Sequence, residues 1–160
     1  MKTYILAALV LSISAMTAFA EAEAVATKAV SDAGKYTLTT CPVSGETLGG
    51  MGDPVVKDYD GREVKFCCAN CVGTFEKDLK SSMKILDEKI VAAQKDTYPL
   101  KTCVVSGEEL GSMGDPIYHV YKNRLVEFCC GNCESTFNKD PEKFLQKIDA
   151  AAAPATLEAE

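Results

Sequence analysis

The sequence has one histidine, no block of lysines or arginines, and no long apolar run after its first 20 residues. It contains no Ser-His-Asp set, no phosphate-binding loop and no paired-carboxylate cleft, so no enzymatic reaction is expected. Acidic residues outnumber basic ones by 23 to 17, a formal charge of −6, which becomes −7 if the first 20 residues leave with Lys2. With that balance and no basic patch, nucleic acid and anionic membrane surfaces are poor partners. The lack of a later apolar run argues against a stable membrane span.

Residues 1–20 read as a secretory signal. Met1 and Lys2 make a basic start, Tyr4 to Thr17 is mostly apolar, and Ala18-Phe19-Ala20 is a small-x-small cleavage site. No cysteine stands at that point to take a lipid. Cleavage near Ala20 implies a secreted or periplasmic protein. Residues 21–35, rich in alanine and acids without aromatics, are expected to be a flexible leader, and residues 150–160 a disordered tail.

Cysteine is what the chain has in quantity, with eight residues in two matching groups. Phe66-Cys67-Cys68-Ala69-Asn70-Cys71 returns as Phe128-Cys129-Cys130-Gly131-Asn132-Cys133, and Cys41 and Cys103 precede their clusters by the same distance. Residues 36–78 align with 98–140 without a gap, and 26 of the 43 positions are identical. The chain is therefore an internal duplication, with a first cysteine module over 36–96 and a second over 97–149. Units of that size rarely hold together on apolar burial alone, so a metal or disulfides are expected to supplement the core.

Each module opens with a knuckle-like turn, Cys41-Pro42-Val43-Ser44-Gly45 or Cys103-Val104-Val105-Ser106-Gly107. A glycine-rich loop closed by Pro54 or Pro116 follows. Two short strands come next, joined at Asp60-Gly61 in the first copy and Lys122-Asn123 in the second. Val64 and Phe66 alternate towards the core. After the cluster the apolar period becomes helical: Val72, Phe75, Leu79, Met83, Leu86 and Ile90 predict one helix running to about Gln94. Its last apolar residues, Leu86 and Ile90, are expected to dock on the second module or on a partner. In the second copy Asp140-Pro141 predicts a break and a separate helix carrying Phe144, Leu145 and Ile148. The fold class is α+β: two tandem small treble-clef-like modules with flexible termini.

Thiolates repel one another until a cation neutralises them, and four of them suit a closed tetrahedral site for a soft ion, zinc or copper. On this reading Cys41, Cys67, Cys68 and Cys71 form one site and Cys103, Cys129, Cys130 and Cys133 the other, with one zinc or copper ion per module. Two alternatives stay open. Exported cysteines also form structural disulfides, and Cys68-x-x-Cys71 has redox spacing. Cys68 is a fourth ligand if the chain has already turned into the helix, and otherwise a buried thiol. His119 faces Lys57 in the alignment and reads as a strand-surface residue, while Met51 and Met113 read as loop packing and Tyr59, Tyr121, Phe75 and Phe137 as core.

Cys41-Pro42-Val43-Ser44-Gly45, the hairpin, Phe66-Cys67-x-x-x-Cys71-x-x-x-Phe75 and the second module's Phe137-to-Phe144 segment resemble the YHS and TRASH domains. These are small treble-clef modules associated with heavy-metal sensing, trafficking and resistance. The resemblance implies ligands at Cys41, Cys67 and Cys71 and at Cys103, Cys129 and Cys133; Cys68 and Cys130 stand where the family has a serine or another small residue. The expected function is an exported tandem metal-binding protein acting as buffer, carrier or accessory metallochaperone, with a metal-handling protein as its partner. The alternative is a disulfide-stapled interaction module without metal.

Overall fold

A computed structural model of the chain describes residues 34–153. The expected signal segment, the expected leader up to residue 33 and the expected tail from residue 154 lie outside the described residues. In the first module β1 (Val55–Tyr59) and β2 (Arg62–Phe66) precede α1 (Ala69–Lys77) and α2 (Leu79–Gln94), and one 3-10 turn, Lys95–Thr97, leads on. The second module repeats the order with β3 (Ile117–Tyr121), β4 (Arg124–Phe128), α3 (Gly131–Phe137) and α4 (Pro141–Ala152).

Each strand pair is a two-stranded antiparallel hairpin, with Tyr59 paired to Arg62 and Tyr121 to Arg124 at the bend. Both residues of each bend have positive φ: Asp60 at 55° and Gly61 at 77°, Lys122 at 46° and Asn123 at 64°. Such bends match the right-handed twist of the strands they join. Asp58 strengthens the first by accepting from the Gly61 N–H at 3.0 Å.

The single helix expected to reach Gln94 is in fact two. Asp78 leaves helical geometry (φ −140°, ψ 77°), and its carboxylate accepts from the Ser81 N–H at 3.1 Å as the cap of α2. Asp140 does the same for α4 through the Lys143 N–H, with Pro141 in the first turn. The two breaks are therefore equivalent, and a capping side chain rather than proline makes the first one. Leu79, on the predicted apolar stripe, is consequently left 40% exposed.

Each module has its own core. In the first, Phe66 meets Phe75 edge to face at 5.2 Å, and Val64, Leu86 and Ile90 close around them. In the second, Phe128, Phe137, Phe144, Leu145 and Ile148 do so. Tyr59 and Tyr121 lie half-buried against Phe75 and Phe137, each at 5.5 Å. Leu86 and Ile90 belong to the first module's own core, and Val120 of the second module packs onto that same core, so the expected docking on the second module is made by a core the first module also uses. Full burial of such a side chain contributes about 1.5–3 kcal/mol.

An ion pair recurs as well: Arg62 to Asp87 at 2.6 Å, and Arg124 to Asp149. Each ties the start of the second strand to the second helix of its module.

The modules meet through α2, which packs on β3 and β4. In β2 burial alternates, whereas in β4 Leu125, Val126, Glu127 and Phe128 are all buried, because the second module covers one face and the first module the other. Gln94 sits at this seam. Its amide donates to the Asn123 carbonyl at 3.0 Å, and its oxygen accepts from the Leu125 N–H at 2.8 Å. The leader expected to be free through residue 35 is held at Gly34, whose N–H donates to the Lys122 carbonyl at 2.8 Å. At the other end α4 continues through Ala152, two residues beyond the expected start of the disordered tail.

Candidate metal centres

The knuckle is a short turn closed by backbone hydrogen bonds. The Cys41 N–H donates to the Glu46 carbonyl at 2.8 Å, and the Gly45 N–H donates back to the Cys41 carbonyl at 2.9 Å. In the second copy Cys103 and Glu108 are 2.7 Å apart, and Gly107 and Cys103 2.8 Å. Gly45 and Gly107 have φ of 78° and 80°, a conformation that glycine adopts without strain. The turn thereby aims a fully buried cysteine at the end of the hairpin.

There the strand stops. β2 ends at Phe66, and Cys68 is already the extended residue that caps α1. The chain bends so that Cys67, rather than Cys68, joins Cys41. The sulfurs of Cys41, Cys67 and Cys71 all lie within 4.8 Å of one another, as do those of Cys103, Cys129 and Cys133. Cys68 stands beside its group, 4.0 Å from Cys67 and 3.6 Å from Cys71; Cys130 is 3.9 Å from Cys129 and 3.7 Å from Cys133. Cys67 and Cys71 are 3.6 Å apart, and Cys129 and Cys133 3.8 Å.

Four sulfurs at about 2.3 Å from a tetrahedral ion lie about 3.8 Å from one another. The separations among the three sulfurs beside each helix start are near that edge. The sulfurs that all lie close together are the three of Cys41, Cys67 and Cys71 or of Cys103, Cys129 and Cys133, so each cluster is placed to hold one ion. A disulfide needs about 2.05 Å between sulfurs, and no two of the eight are at that distance; all eight are free thiols.

Two further side chains serve both sites. The Ser44 hydroxyl lies 3.3 Å from the Cys67 sulfur and the Ser106 hydroxyl 3.2 Å from that of Cys129. The same serines receive the N–H of Glu46 and Glu108, so one residue orders the knuckle and touches the site. A lysine also reaches each knuckle. Lys89 on α2 donates to the Pro42 carbonyl at 2.7 Å, and Lys147 on α4 to that of Val104 at 3.5 Å. The serines were visible in the sequence as identical knuckle residues. The lysines were not, because they occupy different positions of the repeat.

The thiols differ in acidity. Burial acts to raise the Cys41 thiol, but hydrogen bonds from the Ser44 hydroxyl and from the backbone of Ser44, Cys67 and Val43 outweigh it and bring it down to about 6. Cys103 is likewise brought to about 6 against its burial by Ser106, Cys129 and Val105. Cys71 and Cys133 are pushed up to about 12, by burial first and then by the neighbouring sulfurs. Cys68 and Cys130 are lowered, chiefly by the backbone N–H of Cys71 and Cys133. Each cluster without an ion thus pairs a ready thiolate with a thiol that holds its proton, and a cation would relieve that conflict.

Other expected positions fall outside the clusters. His119 is half-buried rather than on the surface; its ring lies 5.7 Å from that of Phe137, and Nδ1 is 3.1 Å from a Glu134 carboxylate oxygen. Met51 and Met113 are 71% and 65% exposed, so they do not pack their loops. Among the described residues no helix is long and apolar enough to cross a membrane. No protein family, curated protein or solved structure matches the chain.

Proposed function

We propose that each module holds one soft ion, zinc or cuprous copper, on the thiolates of Cys41, Cys67 and Cys71 or of Cys103, Cys129 and Cys133. The chain then serves as an exported tandem metal-binding protein: a buffer, carrier or accessory metallochaperone of the kind to which YHS and TRASH domains belong. The observation that carries this reading is the building of one three-sulfur cluster twice, with a fourth sulfur alongside and separations near the edge of a thiolate tetrahedron. Export is supported by the pattern of residues 1–20.

The test is elemental analysis with mass spectrometry of non-reduced protein taken from the compartment it reaches. Two ions per chain and eight free thiols are expected, with a mature start near Glu21. Cys41→Ser should lower the content by about one ion per chain, since the other module keeps its ligands. Four intact disulfides without stoichiometric metal would overturn the proposal in favour of a stapled interaction module.

A further inference from the structure

The three-sulfur reading leaves one sulfur per module without a task. Cys68 and Cys130 are half-buried, whereas the knuckle cysteines are sealed in and Cys71 and Cys133 are buried. Cys67 and Cys129 each have a serine hydroxyl against the sulfur; the sulfurs near Cys68 are those of Cys67 and Cys71. Cys68 and Cys71 are 3.6 Å apart, Cys130 and Cys133 3.7 Å, and both pairs have Cys-x-x-Cys spacing. The adjacent pairs, Cys67 with Cys68 and Cys129 with Cys130, are poor candidates for bonding because a vicinal bridge strains the peptide between them.

We propose that Cys68 and Cys130 are the reactive thiols of the two centres, and that their oxidation to disulfides with Cys71 and Cys133 by an incoming disulfide expels the bound ion. This rests on the metal-binding reading. Cys68 attacks one sulfur of the incoming disulfide, and the other sulfur leaves as a thiolate that takes up the proton Cys68 gives up. Cys71 then attacks the Cys68 sulfur, and the second thiolate leaves and is protonated by solvent. The sulfur electron pair that had held the ion becomes the new S–S bond, so two protein sulfurs are oxidised and one disulfide is reduced. The ion keeps only Cys41 and Cys67, too few for a closed site. The same exchange at Cys130 and Cys133 empties the second centre.

The experiment loads the full-length reduced protein with zinc, adds oxidised glutathione, follows release with a chromogenic chelator and maps disulfides by mass spectrometry. Release of both ions with Cys68–Cys71 and Cys130–Cys133 bridges is expected. The doubly substituted Cys68→Ser, Cys130→Ser protein should hold its zinc and release it about tenfold more slowly or less. Equal release rates, bridges between other cysteines, or loss of zinc from the variant before oxidant is added would each overturn the inference. If the reduced wild-type protein takes up no zinc at the outset, the metal reading itself fails.

Discussion

The Asn123 side-chain amide donates to the Gly34 carbonyl oxygen at 2.8 Å, joining a bend of the second module to a residue that precedes the first. The same amide donates to the Glu63 carbonyl at 2.7 Å, and its oxygen accepts from the Arg62 guanidinium at 3.2 Å. Asn123 is wholly buried, and its counterpart in the first module is Gly61. Removing its amide takes the side-chain donor from the Glu63 carbonyl, at about 1–3 kcal/mol for a group so stranded, while the Gly34 carbonyl keeps the Glu63 N–H at 2.6 Å. Asn123→Ala should lower unfolding stability by about 1–3 kcal/mol in chemical denaturation. Asn123→Gly, which keeps the positive φ, should recover only the part due to the bend.

Metal affinity should depend on pH in two regimes. In ion-free protein at pH 7, Cys41 and Cys103, brought down to about 6, are already thiolates, while Cys71 and Cys133, at about 12, hold their protons. Each ion must displace the latter protons, so apparent affinity rises with pH. Below about 6 the knuckle cysteines protonate too, and the slope should steepen. Competition titrations with zinc and a chelator from pH 5 to pH 8 should show it, and calorimetry in buffers of different ionisation enthalpy should detect protons released at pH 7.

Leu86 is completely buried in the core that holds Cys41 and Cys71. Leu86→Ala should cost about 2–5 kcal/mol and weaken metal retention at the first centre more than at the second. Elemental analysis of the variant combined with Cys103→Ser, which leaves only the first centre intact, would measure it.

Asp78 caps α2 as Asp140 caps α4. Asp78→Ala should cost about 1 kcal/mol, and Asp78→Ser or Asn should restore most of it. Thermal melts followed by circular dichroism would check the order.

Much of the fold was legible because its signals are local. Asp60-Gly61 and Lys122-Asn123 marked the bends, Gly45 and Gly107 the knuckles, and Pro141 the second helix break. The first break escaped because the apolar period from Val72 to Ile90 runs through Asp78 without interruption, and one capping carboxylate does not disturb that period. In the clusters the choice of Cys67 over Cys68 depended on where β2 ends, a matter of one residue that the strand pattern does not settle. Arg62–Asp87 and Arg124–Asp149 recur at the repeat interval and could have been found by extending the alignment beyond Asp78. Asn123 could not, because it was readable only as a turn residue and its partners lie 60 to 89 residues away.

β4 has no face turned to solvent, since one side lines its own core and the other lies under the first module. Melting either module therefore strips half the cover from this strand. The duplicated halves, built alike, should unfold together in one transition rather than as two independent beads. Amide hydrogens along Leu125 to Phe128 should then be among the last to exchange with deuterium, at rates set by opening of the whole molecule.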